Sequence, residues 1–265
     1  MRPVLLLMYH QIVPEGAPPG WVPAPLADPR YGVGERDFVR QMAHLREEGY
    51  PLLSLESLLA PETLEDKGDP GRPAIVVTFD DGYESDFHLA APVLSKFGIP
   101  ATFFVSTGHI GAPGMMTESM VAELSSRPIF RIGAHGESHR FLSELSEEEC
   151  NGELVRSMVR IRELTGQETM GMSAPGGRTD GRVAGLVRAA GFRALATSRP
   201  GLHGNSGDLF SLPRLPVLAR HSLGIFAALL DPSSSAHRND RWLRNVKQGL
   251  RFLLRGGFPQ RRLMS

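Results

Sequence analysis

Ala74-Ile75-Val76-Val77-Thr78-Phe79-Asp80-Asp81-Gly82 is the stretch on which the fold turns. Its first six residues are apolar or β-branched without alternation, the pattern of a strand buried on both faces in a parallel sheet covered by helices. Two carboxylates and a glycine follow at once, so acid groups stand at the C-terminal end of a buried strand. The same grammar repeats outward. Upstream, Val4 to Met8 is an apolar run that ends in Tyr9-His10, and residues 14–34 are too rich in Pro and Gly to be regular, which predicts a long loop. From Glu35 the spacing of Phe38, Met42 and Leu45 predicts an amphipathic helix, followed by a short strand at Leu52 to Ser54.

Downstream, the pattern predicts a helix over Ser85 to Phe97, a strand over 101–106 and a helix over Thr117 to Ser125, then strands at 129–134, 169–174 and 192–197. Ser146 with Glu149 has capping-box spacing and opens a further helix, and another spans Thr179 to Ala190. Strands alternating with helices imply an α/β fold with a parallel sheet inside, here an irregular (β/α) barrel of about seven strands. Residues 1–235 read as that barrel and 236–265 as a basic amphipathic tail.

Composition narrows the partners. The 29 Lys+Arg balance 29 Asp+Glu, so no overall field draws the chain to nucleic acid, and no such partner is expected. The single cysteine, Cys150, excludes an internal disulfide and a Cys-rich zinc module, and its polar surroundings predict a surface or half-buried thiol. His10 interrupts the N-terminal apolar run, which therefore reads as a strand and not a signal peptide. No window approaches the ~18 apolar residues of a spanning helix, and a soluble, cytoplasmic protein is expected. In the tail, Arg238, Arg241, Arg244, Lys247 and Arg251 accompany an apolar stripe through Leu243, Val246 and Leu250. Such a helix packs on the barrel or touches an anionic membrane peripherally.

Four clusters of reactive or unusual residues each follow an apolar strand run: Tyr9-His10, Asp80-Asp81-Gly82, His135-Gly136-Glu137-Ser138-His139 and Ala174-Pro175-Gly176-Gly177. In a parallel barrel the C-terminal strand ends share one face, where such folds place chemistry. Two adjacent carboxylates in a partly dry site repel, and one takes up a proton unless a cation compensates. His135 and His139, four residues apart, offer two imidazole nitrogens at zinc-ligand spacing. With one aspartate they make a set of two histidines and a carboxylate with open positions; this suits Zn2+, and Co2+ or Fe2+ also fit.

Thr78-Phe79-Asp80-Asp81-Gly82 together with His135-x3-His139 resembles the polysaccharide deacetylase, or NodB-homology, family of carbohydrate esterases, over roughly residues 4–220. Further matching pieces are the strand at 101–106, Ile132-Gly133-Ala134 before His135, and Gly191-Phe192-Arg193. The resemblance implies a barrel with fewer than eight strands, Asp80 as general base, and a divalent metal on Asp81, His135 and His139. It also implies stabilisation of the oxyanion around Pro175 and Gly176, with Arg214 as a further oxyanion or substrate contact. The departures are specific. Gly136 stands where the family usually has Ser or Thr, and Gly176 where it often has Tyr. The Arg that often precedes the Pro motif is missing, since Met172 and Ser173 occupy that region, which leaves Arg178 and Arg214 as candidates to control the charge of the base. No late Leu-x-His follows residue 200. Leu7-Met8-Tyr9-His10 instead resembles the opening strand of the biofilm-polysaccharide deacetylases, which assigns proton delivery to His10. The expected activity is metal-dependent removal of acetyl groups from an N-acetylated polysaccharide or glycolipid. The alternatives are hydrolysis of a non-sugar C–N bond and a catalytically silent carbohydrate-binding relative.

Overall fold

The computed structural model describes residues 2–17, 26–59, 71–204 and 207–235. The tail expected to pack on the barrel or meet a membrane lies outside the described residues, as does part of the loop at 14–34. The strands are β1 (Val4–Tyr9), β2 (Ile12–Val13), β3 (Val33–Gly34), β4 (Leu52–Leu53), β5 (Ala74–Phe79), β6 (Ala101–Val105), β7 (Phe130–Ala134), β8 (Gly171–Ser173), β9 (Ala194–Ala196) and β10 (Arg214–Pro216). The helices are α1 (Glu35–Glu47), α2 (Ala91–Phe97), α3 (Glu118–Ser126), α4 (Glu147–Thr165), α5 (Gly181–Ala189) and α6 (Leu223–Leu230).

Seven parallel strands run in the order β10-β1-β5-β6-β7-β8-β9. A parallel bridge from Ala196 to Leu212, just before β10, nearly closes the ring. β4 pairs with the start of β5 at Ile75 and Val76, and β6 takes over from Val77 onward. β2, just before the expected loop, and β3, at its end, form a two-stranded ladder.

Period-two alternation divides the core. Leu5, Leu7, Tyr9, Ile75, Val77 and Phe79 pack in one cluster with Phe38, Met42 and Leu45 of α1. Val4, Leu6, Ala74, Val76 and Phe104 form a second cluster that contains no residue of α1–α6 and therefore lines the barrel interior. Parity now sets the site, because successive side chains of a strand point to opposite faces. Continuing Val4-Leu6 brings His10 to the inner face, and continuing Ala74-Val76 brings Thr78 and Asp80. The same rule separates two neighbours in sequence. Tyr9 points outward, where its hydroxyl lies 2.8 Å from Gln41 Oε1, so it stands away from the barrel mouth.

The helix ends follow local chemistry. Thr117 caps α3, Asp180 caps α5, and both halves of the capping box are formed at Ser146 and Glu149. That cap fixes the phase of α4 so that Cys150, Glu153, Leu154, Ser157 and Ile161 face inward. Cys150 is consequently fully buried, which corrects the expectation of a surface or half-buried thiol. The helix expected over Ser85 to Phe97 is interrupted. Its first turn, Asp86–Ala90, is a π-helix with the Ala91 N–H bonded to the Asp86 carbonyl, because Pro92 has no N–H to continue the ordinary ladder. No helix among the described residues is long and apolar enough to cross a membrane.

Candidate active site

β5 delivers Asp80 and Asp81 to the mouth of the barrel, both almost fully buried. β7 delivers His135, and the loop after it returns His139. A ligand atom of Asp81, one of His135 and one of His139 all lie within 4.8 Å of one another. Asp81 Oδ1 faces His135 Nε2 at 3.3 Å and His139 Nε2 at 3.2 Å, yet it is buried without hydrogen-bond geometry to any partner. An orphaned carboxylate oxygen facing two imidazole nitrogens is what a divalent cation would satisfy. The orientation of His135 is set by a second contact. Its Nδ1 lies 2.8 Å from the Ser173 carbonyl, and a proton donated there leaves Nε2 with its lone pair toward Asp81. The backbone is strained at the same place: Asp81 (φ 81°) and His139 (φ 59°) are the non-glycine residues with positive φ among the described residues. Burial pulls the His135 imidazole down, but the charges of Asp80 and Asp81 outweigh it and raise it above the ordinary value. For Asp81, the contacts to His135 and His139 overcome burial and hold its carboxyl well below the usual range.

Asp80 has a different partner. Arg214, on β10, is fully buried and reaches Asp80 with a two-pronged contact, Nη1 to Oδ1 and Nη2 to Oδ2, each 2.7 Å. Its remaining donors go to Thr78 Oγ1 (3.2 Å), Ser173 Oγ (2.8 Å) and the Thr197 carbonyl (2.9 Å). A guanidinium has five N–H groups, and here all five are committed. Arg214 therefore has no donor left for a substrate or an oxyanion, which corrects that expectation. It is instead the buried counter-charge of Asp80. Burial alone would raise the Asp80 carboxyl, but the Arg214 charge and hydrogen bonds prevail and hold it below its ordinary value. Arg178, the other candidate, ion-pairs with Glu144 and lies over the Phe141 ring at 4.0 Å.

His10 ends β1 with its ring against Tyr31, centroids 4.4 Å apart, and its Nδ1 buried without a partner. Burial lowers its pKa, and the nearby Asp81 and Asp80 charges offset this only in part. The turn after β8 places Pro175 in the core and leaves Gly176 exposed at φ 64°. A side chain at Gly176 would start 2.6 Å from the Phe141 ring, so Phe141 occupies the space that a Tyr would need. Sequence reasoning missed Ser173 and Thr78 as supports of the Arg214–Asp80 pair. Their inward parity on β8 and β5 was the signal.

With that geometry in place, the comparisons are consistent with one another. Residues 67–195 match the family model described as polysaccharide deacetylase. A candidate polysaccharide deacetylase of Bacillus subtilis is 27% identical over 199 residues, spanning 75% of this chain and 70% of that protein. The poly-beta-1,6-N-acetyl-D-glucosamine N-deacetylase of Staphylococcus aureus is 28% identical over 103 residues, 39% of this chain and 34% of that protein. The crystal structure of a candidate polysaccharide deacetylase from Bacillus anthracis superposes with a TM-score of 0.71 at 25% identity, covering 85% of this chain and 68% of that one.

Proposed function

We propose that this chain, whose residues 67–195 match the polysaccharide deacetylase family model, is a metal-dependent N-deacetylase of an N-acetylated polysaccharide or glycolipid. The observation that carries the reading is the pair of unlike aspartates: Asp80 locked on Arg214, and Asp81 turned toward two imidazoles. In this reading Asp81, His135 and His139 hold the metal, with zinc the best match to the donor set. A divalent ion bound there would lower the pKa of a water to about 7 and polarise a carbonyl oxygen.

The protein's own groups supply the rest. Asp80 stays ionised because Arg214 neutralises it, and its position beside the metal ligands lets it accept a proton from water as general base. Ser173 and Thr78 fix Arg214, and so fix the direction from which Asp80 works. His10 would deliver a proton to the departing amine, a step needed because an unprotonated amine leaves poorly. Its lowered pKa makes it the stronger donor once protonated. The exposed turn at Gly176 is the candidate for a backbone N–H facing the oxyanion.

The test measures bound metal and acetate release from N-acetylglucosamine oligomers and lipid-linked N-acetyl sugars, beside Asp80→Asn and His135→Ala. Loss of turnover with the first change and of metal with the second is expected. Turnover that survives both would end this reading.

A further inference from the structure

The stretch between the two histidines has to hold a fixed shape for both imidazoles to reach one point, and its backbone bonds can be counted. The Gly136 carbonyl accepts from Thr107 N (3.1 Å) and the Glu137 carbonyl from Gly108 N (2.8 Å). On the other side, the N–H groups of Glu137 and Ser138 both donate to Glu153 Oε2, each at 2.8 Å, and the Ser138 hydroxyl donates to Glu153 Oε1. Glu153 is 3% exposed and lies on the inner face of α4. A buried carboxylate is costly unless hydrogen bonds satisfy it, and here it spends its acceptors on one short loop. Gly136 fits this arrangement. It sits at φ 73°, and a side chain there would begin 3.1 Å from Glu153 Oε2. The Glu137 side chain points elsewhere, to Arg156 Nε at 2.6 Å.

We infer that Glu153 is a positioning residue for the metal site, a carboxylate on α4 that holds the 135–139 loop from outside in place of the hydroxyl usually carried at position 136. The inference rests on the reading of Asp81, His135 and His139 as metal ligands. It adds a residue that touches neither metal nor substrate and acts through the orientation of His139 relative to His135. Outer partners of this kind typically change metal affinity by about 10–100-fold.

Two measurements on Glu153→Leu, Glu153→Gln and Ser138→Ala test it: zinc affinity by competition with a chromophoric chelator, and amide hydrogen exchange of Glu137 and Ser138 in the metal-free chain. Glu153→Leu is expected to weaken zinc about 10–100-fold and to release protection at both amides. Glu153→Gln keeps one oxygen for both amides, so it should retain their protection and bind zinc better than Glu153→Leu. Ser138→Ala removes only the Oε1 contact and should fall between Glu153→Leu and the unsubstituted chain. Unchanged zinc affinity and unchanged exchange in Glu153→Leu would overturn the inference. If far-UV circular dichroism shows that variant unfolded, equal zinc binding by Glu153→Gln, Ser138→Ala and the unsubstituted chain would overturn it. Failure of the unsubstituted chain to bind zinc would instead refute the ligand assignment, while the amide exchange would still report on the tether.

Discussion

Replacing Arg214 with Met removes five hydrogen-bond donors from a fully buried position and leaves the Asp80 carboxylate without its counter-charge. Removing one partner of a buried ion pair costs about 3–5 kcal/mol, because the other charge stays desolvated. For a chain of this size that corresponds to a Tm lower by about 6–20 °C near neutral pH. The pH dependence separates this cause from simple loss of packing. With Arg214 present the folded pKa of Asp80 is depressed, so the stability it contributes is present above the unfolded carboxyl value of about 3.9 and is lost as pH falls through the folded value. Without Arg214, burial governs and raises that pKa, so ionisation works against the fold above pH 3.9 or so. The Tm gap between the two proteins is therefore widest near neutrality and narrows in acid. Acetate release should fall by about 10²–10⁴-fold, the usual contribution of a general base. Melting curves from pH 3 to 8 and rates at neutral pH check both. A gap independent of pH, or turnover retained by Arg214→Met, would refute the assignment.

Other outcomes follow from single features. Asp86 is fully buried with its carboxyl pushed well above the ordinary range, by burial first and then by the charge of Asp81. Its raised folded pKa means that stability is lost as pH rises from the unfolded value toward the folded one, so Asp86→Asn should raise Tm at pH 7 and have little effect near pH 3. Gly176→Ala forces a Cβ into left-handed backbone and toward Phe141, with an expected loss of about 1–2 kcal/mol from the backbone alone, read by denaturant unfolding. Ser146→Ala removes one half of the capping box and should cost about 1 kcal/mol in the same assay. Chelation followed by zinc at about a hundred times its Kd should restore some 2.7 kcal/mol of apparent stability, measured as Tm; no response would count against a structural zinc contribution.

β1 and β4 to β9 were legible because each is a local apolar run, and the clusters after them announced the site; the two-residue strands β2 and β3, at the ends of a stretch read as irregular loop, were not. Contacts between distant segments were not legible. β10 is Arg-Leu-Pro, too short and too polar at its start for periodicity to mark it, and its pairing with β1 joins residues some two hundred positions apart. Sequence consequently offered Arg214 only as one of two candidate cations for the base or as an oxyanion contact, until the closing of the ring set it against Asp80. Glu153 was hidden for a related reason. On a helix surrounded by charged residues nothing in sequence distinguishes the one carboxylate that faces inward, although the capping box that sets the phase of α4 was readable. Tyr9 and His10 formed a single motif in sequence, and strand parity sends them to opposite faces.

The left-handed backbone at Asp81 and His139 sets evolutionary pressure against the site that it builds. Each such residue costs of the order of 1–3 kcal/mol, and glycine at either position would recover part of that while deleting one of the three side chains that converge there. A mutant library sorted on heat tolerance alone, blind to turnover, is expected to drift toward Gly at 81 and 139 and yield hardier barrels with an empty mouth.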